Sequence, residues 1–319
     1  MRTSVARAHV EASGHSRAAA DARAAPVAHA VGSVAGRRNE TRFVLLMVLA
    51  VCFLATGGIF VKLSALPPIS TGFYRVLFSI PLLAPFVLPR ARRIARRDLV
   101  LVLVAGCALA GDLILWNMSF HRTTVANGNL LANLVPFTIV PVSYFVFKER
   151  IPRGFFGGLA VVIVGVVVLL FGKLRPERGQ FFGDALAFST SIFYAAFLLL
   201  VYRLRDRVGA LAIMFFSAFG SLAVLLVAMV LVDGVRWPVT LPSLYPLLGL
   251  ALVSQIGGQG LLGYCLGKVN ATLSSVVVLL QPVVAALFAS VLFGEGLSRA
   301  EGLGMGLTLL GIFIAKRAH

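Results

Sequence analysis

The fold that this sequence predicts is an all-α polytopic membrane protein, with ten transmembrane helices arranged as two inverted five-helix repeats. Three observations point to it. The first is composition: 59% of the 319 residues are hydrophobic and only 13% are charged, with a mean hydropathy of +0.94. A water-soluble chain of this size cannot hide that much apolar surface. A soluble enzyme, a disordered scaffold and a secreted disulfide domain are thereby excluded. The second is a set of runs without any Asp, Glu, Lys or Arg, at 123–147, 208–232, 237–267 and 269–294. Roughly 20 apolar residues cross a bilayer as a helix. The third is self-similarity at an offset of 146. Pro136 matches Pro282, Phe147 matches Phe293, Glu149 matches Glu295, Arg153 matches Arg299, Gly158 matches Gly304 and Gly165 matches Gly311.

Taken in order, the chain starts with a different composition. Residues 1–42 are rich in Ala and Arg, with Glu11, Asp21 and Glu40 interspersed and no long apolar run. A disordered cytoplasmic tail is expected there. From Phe43 onward the expected helices are about 43–64, 70–88, 99–119, 123–147 and 154–172, then 183–203, 210–232, 243–265, 270–293 and 301–316. Turn and charge signals separate them: Leu66-Pro67-Pro68, Pro89 to Asp98, Lys148 to Arg153, Lys173 to Gly179, and Gly294 to Arg299. The two repeats are expected at 43–173 and 182–316. Each holds five helices, an odd number, so the second enters the membrane upside down relative to the first. Inverted repeats of this kind place a substrate near the midplane between the halves.

The formal charge of +17 would suggest nucleic acid in a soluble protein. In a membrane protein it reports orientation, because Lys and Arg accumulate on the cytoplasmic side. With the N-terminus inside, the inner ends hold 14 such residues: Arg90, Arg92, Arg93, Arg96, Arg97, Lys148, Arg150, Arg153, Arg203, Arg205, Arg207, Lys268, Lys316 and Arg317. The outer ends hold 6: Arg122, Lys173, Arg175, Arg178, Arg236 and Arg299. Both termini are therefore expected in the cytoplasm, in a bacterial inner membrane. No nucleic-acid partner is expected. The partners are the lipid bilayer and a small-molecule substrate, and the oligomeric state is left open. Cys52, Cys107 and Cys265 lie in apolar runs without metal-ligand or redox spacing. They are expected to be small core residues, with neither a bridge nor a metal.

Several of these residues carry a family resemblance. They are Trp116 to Phe120, Thr123 to Asn127, Pro136 and Lys148-Glu149-Arg150, together with Asn270-Ala271, Pro282 and Gly294-Glu295 in the second half. Over roughly 43–316 the chain resembles two repeats of the EamA family, within the drug/metabolite transporter superfamily. Lys62 and Arg75, near the first outer loop, fit the same pattern. The resemblance implies a transporter of small organic molecules such as amino acids or toxic compounds, often an exporter. It implies no bound cofactor and no ATP hydrolysis.

The polar residues inside the spans are the site candidates. A charge at the bilayer centre costs about 2.5–3.5 kcal/mol on the insertion scale, so such groups face protein or water. Asp112 lies roughly 10 Å from the outer end of its helix at 1.5 Å per residue, and Trp116 and Ser119 share its face. A carboxylate beside an indole suits a cation. Asp112 is also the candidate proton carrier. The alternative is a structural ion pair with Arg75 or Lys62. Asn129 and Asn133 lie one turn apart before Pro136, as cavity residues or as interhelical glue. Pro136 and Pro282 cannot donate a backbone bond, so the carbonyls of Ala132 and Val278 lose partners. Gln255 and Gln259 share a face beside Gly257-Gly258. Ser274 and Gln281 share a face of the ninth helix. Tyr194 aligns with Ser191 and Asp184, the last expected as an N-terminal cap. Tyr74 and Arg75 are expected at the outer mouth, meeting an anionic group or anchoring the interface. Glu149 and Glu295 are expected to act structurally at helix turns.

The leading expectation is a secondary transporter working by alternating access, with Asp112, Trp116, Asn129, Asn133, Tyr194, Gln255, Gln259, Ser274 and Gln281 as substrate-lining candidates. A passive channel or a translocator of a lipid-linked substrate is the alternative. An intramembrane enzyme has little support. There is no H-E-x-x-H for zinc and no G-x-S-x-G nucleophile elbow, and the histidines at 9, 15, 29, 121 and 319 avoid the deep spans.

Overall fold

The computed structural model describes residues 41–61, 63–90, 94–119, 122–123, 131–171, 181–238, 240–293 and 297–318. The chain divides into two compact units, Met1–Phe43 and Val44–His319. Of the expected tail only Thr41 and Arg42 fall among the described residues, and they open the first helix.

Ten helices follow one another among the described residues. They are α1 Thr41–Val61, α2 Pro68–Val87, α3 Arg96–Ser119, α4 Pro136–Phe145 and α5 Arg153–Leu170, then α6 Phe181–Leu204, α7 Ala210–Asp233, α8 Leu241–Leu266, α9 Ala271–Leu292 and α10 Arg299–Ala318. Eight are long and apolar enough to cross a membrane. The other two are α4, which is short, and α10, which carries Arg299, Glu301, Lys316 and Arg317 at its ends. Prolines start several helices where no backbone donor is needed: Pro68 opens α2 and Pro136 opens α4. Large apolar side chains such as Phe181, Leu231 and Val291 are exposed, as a surface facing lipid requires.

Two expected helices are not continuous. The run 123–147 was expected as one helix, but among the described residues Leu131 and Ala132 are helical, the helix is interrupted by a turn at Asn133–Val135, and it resumes at Pro136–Phe145. The ninth helix likewise breaks at Leu279–Leu280, between Ala271–Val278 and Gln281–Phe293. The cause is the proline that follows each break. It cannot donate to the carbonyl four residues back, and its ring crowds that carbonyl. The chain tightens instead to three-residue bonds. Leu134 donates to Leu131 and Phe137 to Leu134, while Leu279 donates to Val276 and Leu280 to Val277, all at 3.0–3.1 Å. Asn133–Leu134 and Leu279–Leu280 are related by the same offset of 146.

The α5–α10 pair crosses backbone to backbone. A methyl group built at Gly311 would lie 2.8 Å from the Gly158 carbonyl oxygen. One at Gly304 would lie 2.7 Å from the Gly165 oxygen, and one at Gly165 would lie 2.9 Å from the Gly304 oxygen. No side chain fits there, so the backbones touch, as small-residue seams allow in membranes. The contacts are reciprocal: Gly158 meets the repeat mate of Gly165, and Gly165 meets the repeat mate of Gly158.

In α8 the middle stretch Leu250–Gly260 is wound more widely, with five-residue bonding. Such π-type turns are rare and occur often at functional sites. This stretch carries Gln255 and Gln259, and Gly258 lets α8 approach Leu54 of α1.

Candidate functional site

Four helices bring polar side chains to one place inside the bundle. Arg75 lies two turns into α2, rather than at its mouth. Its Nε donates to Gln255 Oε1 of α8 at 2.9 Å. One turn along α8, Gln259 Oε1 accepts from the Tyr194 hydroxyl of α6 at 3.4 Å. Asp112 of α3 is near enough for its charge to act on both Arg75 and Tyr194. Arg75, Tyr194, Gln255 and Gln259 are between 2% and 9% exposed, and Asp112 is half-buried. Buried polar groups must be hydrogen-bonded or reach water. Two helices of the cluster, α2 and α3, come from the first half, and two, α6 and α8, from the second.

The bonding leaves capacity to spare. Gln255 takes only the Nε of Arg75, so the two terminal guanidinium nitrogens are free of hydrogen bonds to the described residues. No hydrogen bond or ion pair among the described residues closes on the Asp112 carboxylate. A guanidinium fork and a carboxylate thus stand near each other across the interior. The first matches a ligand carboxylate or phosphate in a bidentate way. The second accepts an ammonium.

The remaining candidates fall elsewhere. Trp116 is half-buried one turn beyond Asp112, and Asn133 is half-buried in the turn before α4. Both have partners. Asn129 lies outside the described residues, as do Lys62 and Glu295. The Ser274 hydroxyl donates back to the Asn270 carbonyl at 2.8 Å and is buried. Gln281 is half-buried at the start of the second segment of α9. Tyr74 is spent structurally: its hydroxyl donates to the Arg236 carbonyl at 2.8 Å, and its ring packs against Phe73, Phe78 and Trp237. Asp184, expected as a cap, accepts from the Thr123 hydroxyl instead. Among the described residues no group of His, Cys, Asp and Glu is placed to hold a metal ion.

Two ties flank the cluster. At one end, Asp233 at the end of α7 accepts from the Ser70 amide at 2.7 Å and from its hydroxyl at 2.9 Å, which caps the start of α2. At the other end, Asp98 of α3 pairs with Arg207 after α6 at 3.0 Å. The sequence signalled the polar residues of this site by their place in charge-free or nearly charge-free runs. Which of them meet was not readable, because the partners are 180 residues apart for Arg75 and Gln255.

The model of the EamA-like transporter family matches residues 41–171 and again 181–316. The chain belongs to the EamA-like transporter family. The two matches divide between α5 and α6, so each covers five helices. Over 85% of this chain, a relative from Salmonella typhimurium, named "Probable amino-acid metabolite efflux pump", is 26% identical and covered to 93% of its length. A protein of the same name from Escherichia coli is 26% identical over 58% of this chain and 66% of its own. An uncharacterized transporter from Archaeoglobus fulgidus is 24% identical over 85% of this chain and 95% of its own. A solved crystal structure shares the fold at TM-score 0.73 and 20% identity, over 86% of this chain and 96% of that one. This EamA protein is thus a multi-pass membrane transporter.

Proposed function

We propose that this EamA protein is a secondary transporter that exports a small zwitterionic metabolite, of the amino-acid kind, across the bacterial inner membrane by alternating access. The observation that carries the reading is the meeting of Arg75, Asp112, Tyr194, Gln255 and Gln259 from both halves of the bundle. Arg75 takes the carboxylate of the cargo and Gln255 keeps its guanidinium aimed. Asp112 takes the ammonium, and in the empty carrier it holds the proton that couples transport. The names of the Salmonella and Escherichia relatives point to the same cargo class.

In this reading, residues 43–173 and 182–316 are the two inverted repeats. The reciprocal glycine contacts of α5 and α10 support that relation, since a residue meeting the mate of its partner is the mark of a two-fold axis. The matched breaks in α4 and α9 support it as well. Discontinuous helices in corresponding positions mark the binding region of many carriers. The halves rock about the α5–α10 seam, with both termini in the cytoplasm. Residues 1–42 act as a cytoplasmic tail outside the transport unit.

The test is counterflow in liposomes with the purified protein and a panel of metabolites. A carrier saturates, and a preloaded zwitterion drives uptake of the same labelled compound. Flux that rises linearly with concentration would mean a channel. Movement of a lipid-linked compound alone would overturn the metabolite reading.

A further inference from the structure

Glu149 was expected in a paired structural role at the turn linking two helices, and its carboxylate reaches across the molecule. The connection from α4 to α5 contains Lys148, whose φ of +54° is the one positive value outside glycine among the described residues. A left-handed residue with a side chain costs about 1–2 kcal/mol. With it, the amide of Glu149 folds back to donate to the Ser143 carbonyl at 3.0 Å. The carboxylate is thereby aimed at the second half. Oε2 accepts from the Thr272 hydroxyl at 2.6 Å, and Oε1 from the Tyr202 hydroxyl at 3.3 Å. Thr272 is buried in the first turn of α9, where the helix dipole favours a negative charge. The Phe147 ring covers Tyr202 at 5.5 Å.

Both bonds join the first half to the second. Neither partner belongs to Glu149's own turn, so a residue that merely closed the α4–α5 connection would not need them. Their position along α6 is telling. Tyr194 joins the polar cluster and Tyr202 follows eight residues later, about 12 Å further at 1.5 Å per residue. The knot therefore lies between the cluster and the end of the bundle that the Lys/Arg count places in the cytoplasm. The bonds are two hydroxyls on one carboxylate, which separate and re-form without any covalent step.

We propose that Glu149 is a gating residue: its carboxylate, bound to Thr272 and Tyr202, latches the two halves together and shuts the cytoplasmic end of the path, and the latch opens once per transport cycle. The proposal rests on the alternating-access reading, and its test includes a measurement that needs no transport. In a variant lacking Cys52, Cys107 and Cys265, a single reporter is placed by Ser275→Cys, one turn deeper along α9 than Thr272. A membrane-impermeant maleimide is then applied from the cytoplasmic face. The latch predicts that adding Glu149→Ala raises the labelling rate at least 10-fold while the melting temperature stays close to that of the parent. Glu149→Gln, which keeps one acceptor oxygen, should fall between. An unchanged labelling rate overturns the proposal, as does a rise that only accompanies unfolding.

The second arm joins Glu149→Cys to Thr272→Cys, in the variant lacking the native cysteines, with a short bis-methanethiosulfonate that forms a disulfide to each thiol and releases sulfinate. Bridging should stop counterflow more than 10-fold, and reduction should restore it. Undiminished counterflow in the bridged protein would show that the ends never part and would overturn the latch. If no zwitterion moves in any form while the labelling result holds, the cargo assignment fails and the latch stands.

Discussion

In the α5–α10 seam, Gly158, Gly165, Gly304 and Gly311 bring two backbones together with no room for a methyl group between them. Thr308, the nearest hydroxyl, is itself turned back onto the Gly304 carbonyl at 2.8 Å. Around Arg75 the materials are the reverse. Long polar side chains from four helices meet, and the Asp112 carboxylate and the guanidinium fork have bonding capacity left over. Both regions join the two halves, and both are removed from bulk water. The seam is saturated by van der Waals contact, so it resists separation and suits an axis. The cluster is under-saturated, so it gains most when a charged ligand enters, and that suits a binding site.

That contrast can be broken from either side. The largest effect should come from Arg75→Ala. It removes two hydrogen bonds from a charged donor, at about 1.5 kcal/mol each, so transport kcat/KM should fall on the order of 100-fold, measured by initial rates in liposomes. Asp112→Asn should come next. It keeps the shape and removes both the charge and the titration, so uptake should weaken and lose its dependence on pH between parallel assays. Gly165→Leu attacks the axis instead. Overpacking costs about 1–3 kcal/mol, and thermal unfolding in detergent should drop by several degrees, while the folded fraction keeps its substrate affinity. Ser274→Ala should change little, because that hydroxyl is already spent on Asn270. The smallest effect should be Arg207→Ala. Its partner side chain Asp98 is mostly covered but Arg207 itself is half-exposed, and pairs of this kind contribute about 1 kcal/mol or less. A large loss of stability there would mean that the Asp98 tie holds more than one loop.

Much of this was legible in the sequence, for reasons tied to particular residues. Charge-free runs mark spans because the bilayer core excludes ions, so α7 and α8 were placed to within a few residues. The repeat was visible because Pro136/Pro282 and Gly158/Gly304 do jobs that only those residue types do. The same prolines warned of lost backbone bonds, yet the outcome, a turn that breaks α4 and α9, depends on whether neighbouring helices tolerate the break. Hydropathy does not record that. The membership of the cluster was legible for Asp112, Tyr194, Gln255 and Gln259, each a polar group where lipid would reject it. The pairing was not, since Arg75 and Gln255 meet only through the packing of α2 on α8. Arg75 was expected at the outer mouth or as a partner of Asp112, and neither expectation carries any sign of Gln255, which takes its Nε. Glu149 was legible as a helix-end acid, but its partners Thr272 and Tyr202 gave no signal, being an ordinary hydroxyl and an ordinary aromatic near span ends.

The most direct test of the central claim, that the Arg75 cluster holds the cargo of a carrier, is counterflow of a labelled zwitterionic amino acid by the native protein and by Arg75→Gln, side by side in liposomes. The native protein should show saturable counterflow. Arg75→Gln should lose it at an unchanged melting temperature. Equal counterflow from both proteins, or flux that never saturates in either, would contradict the claim.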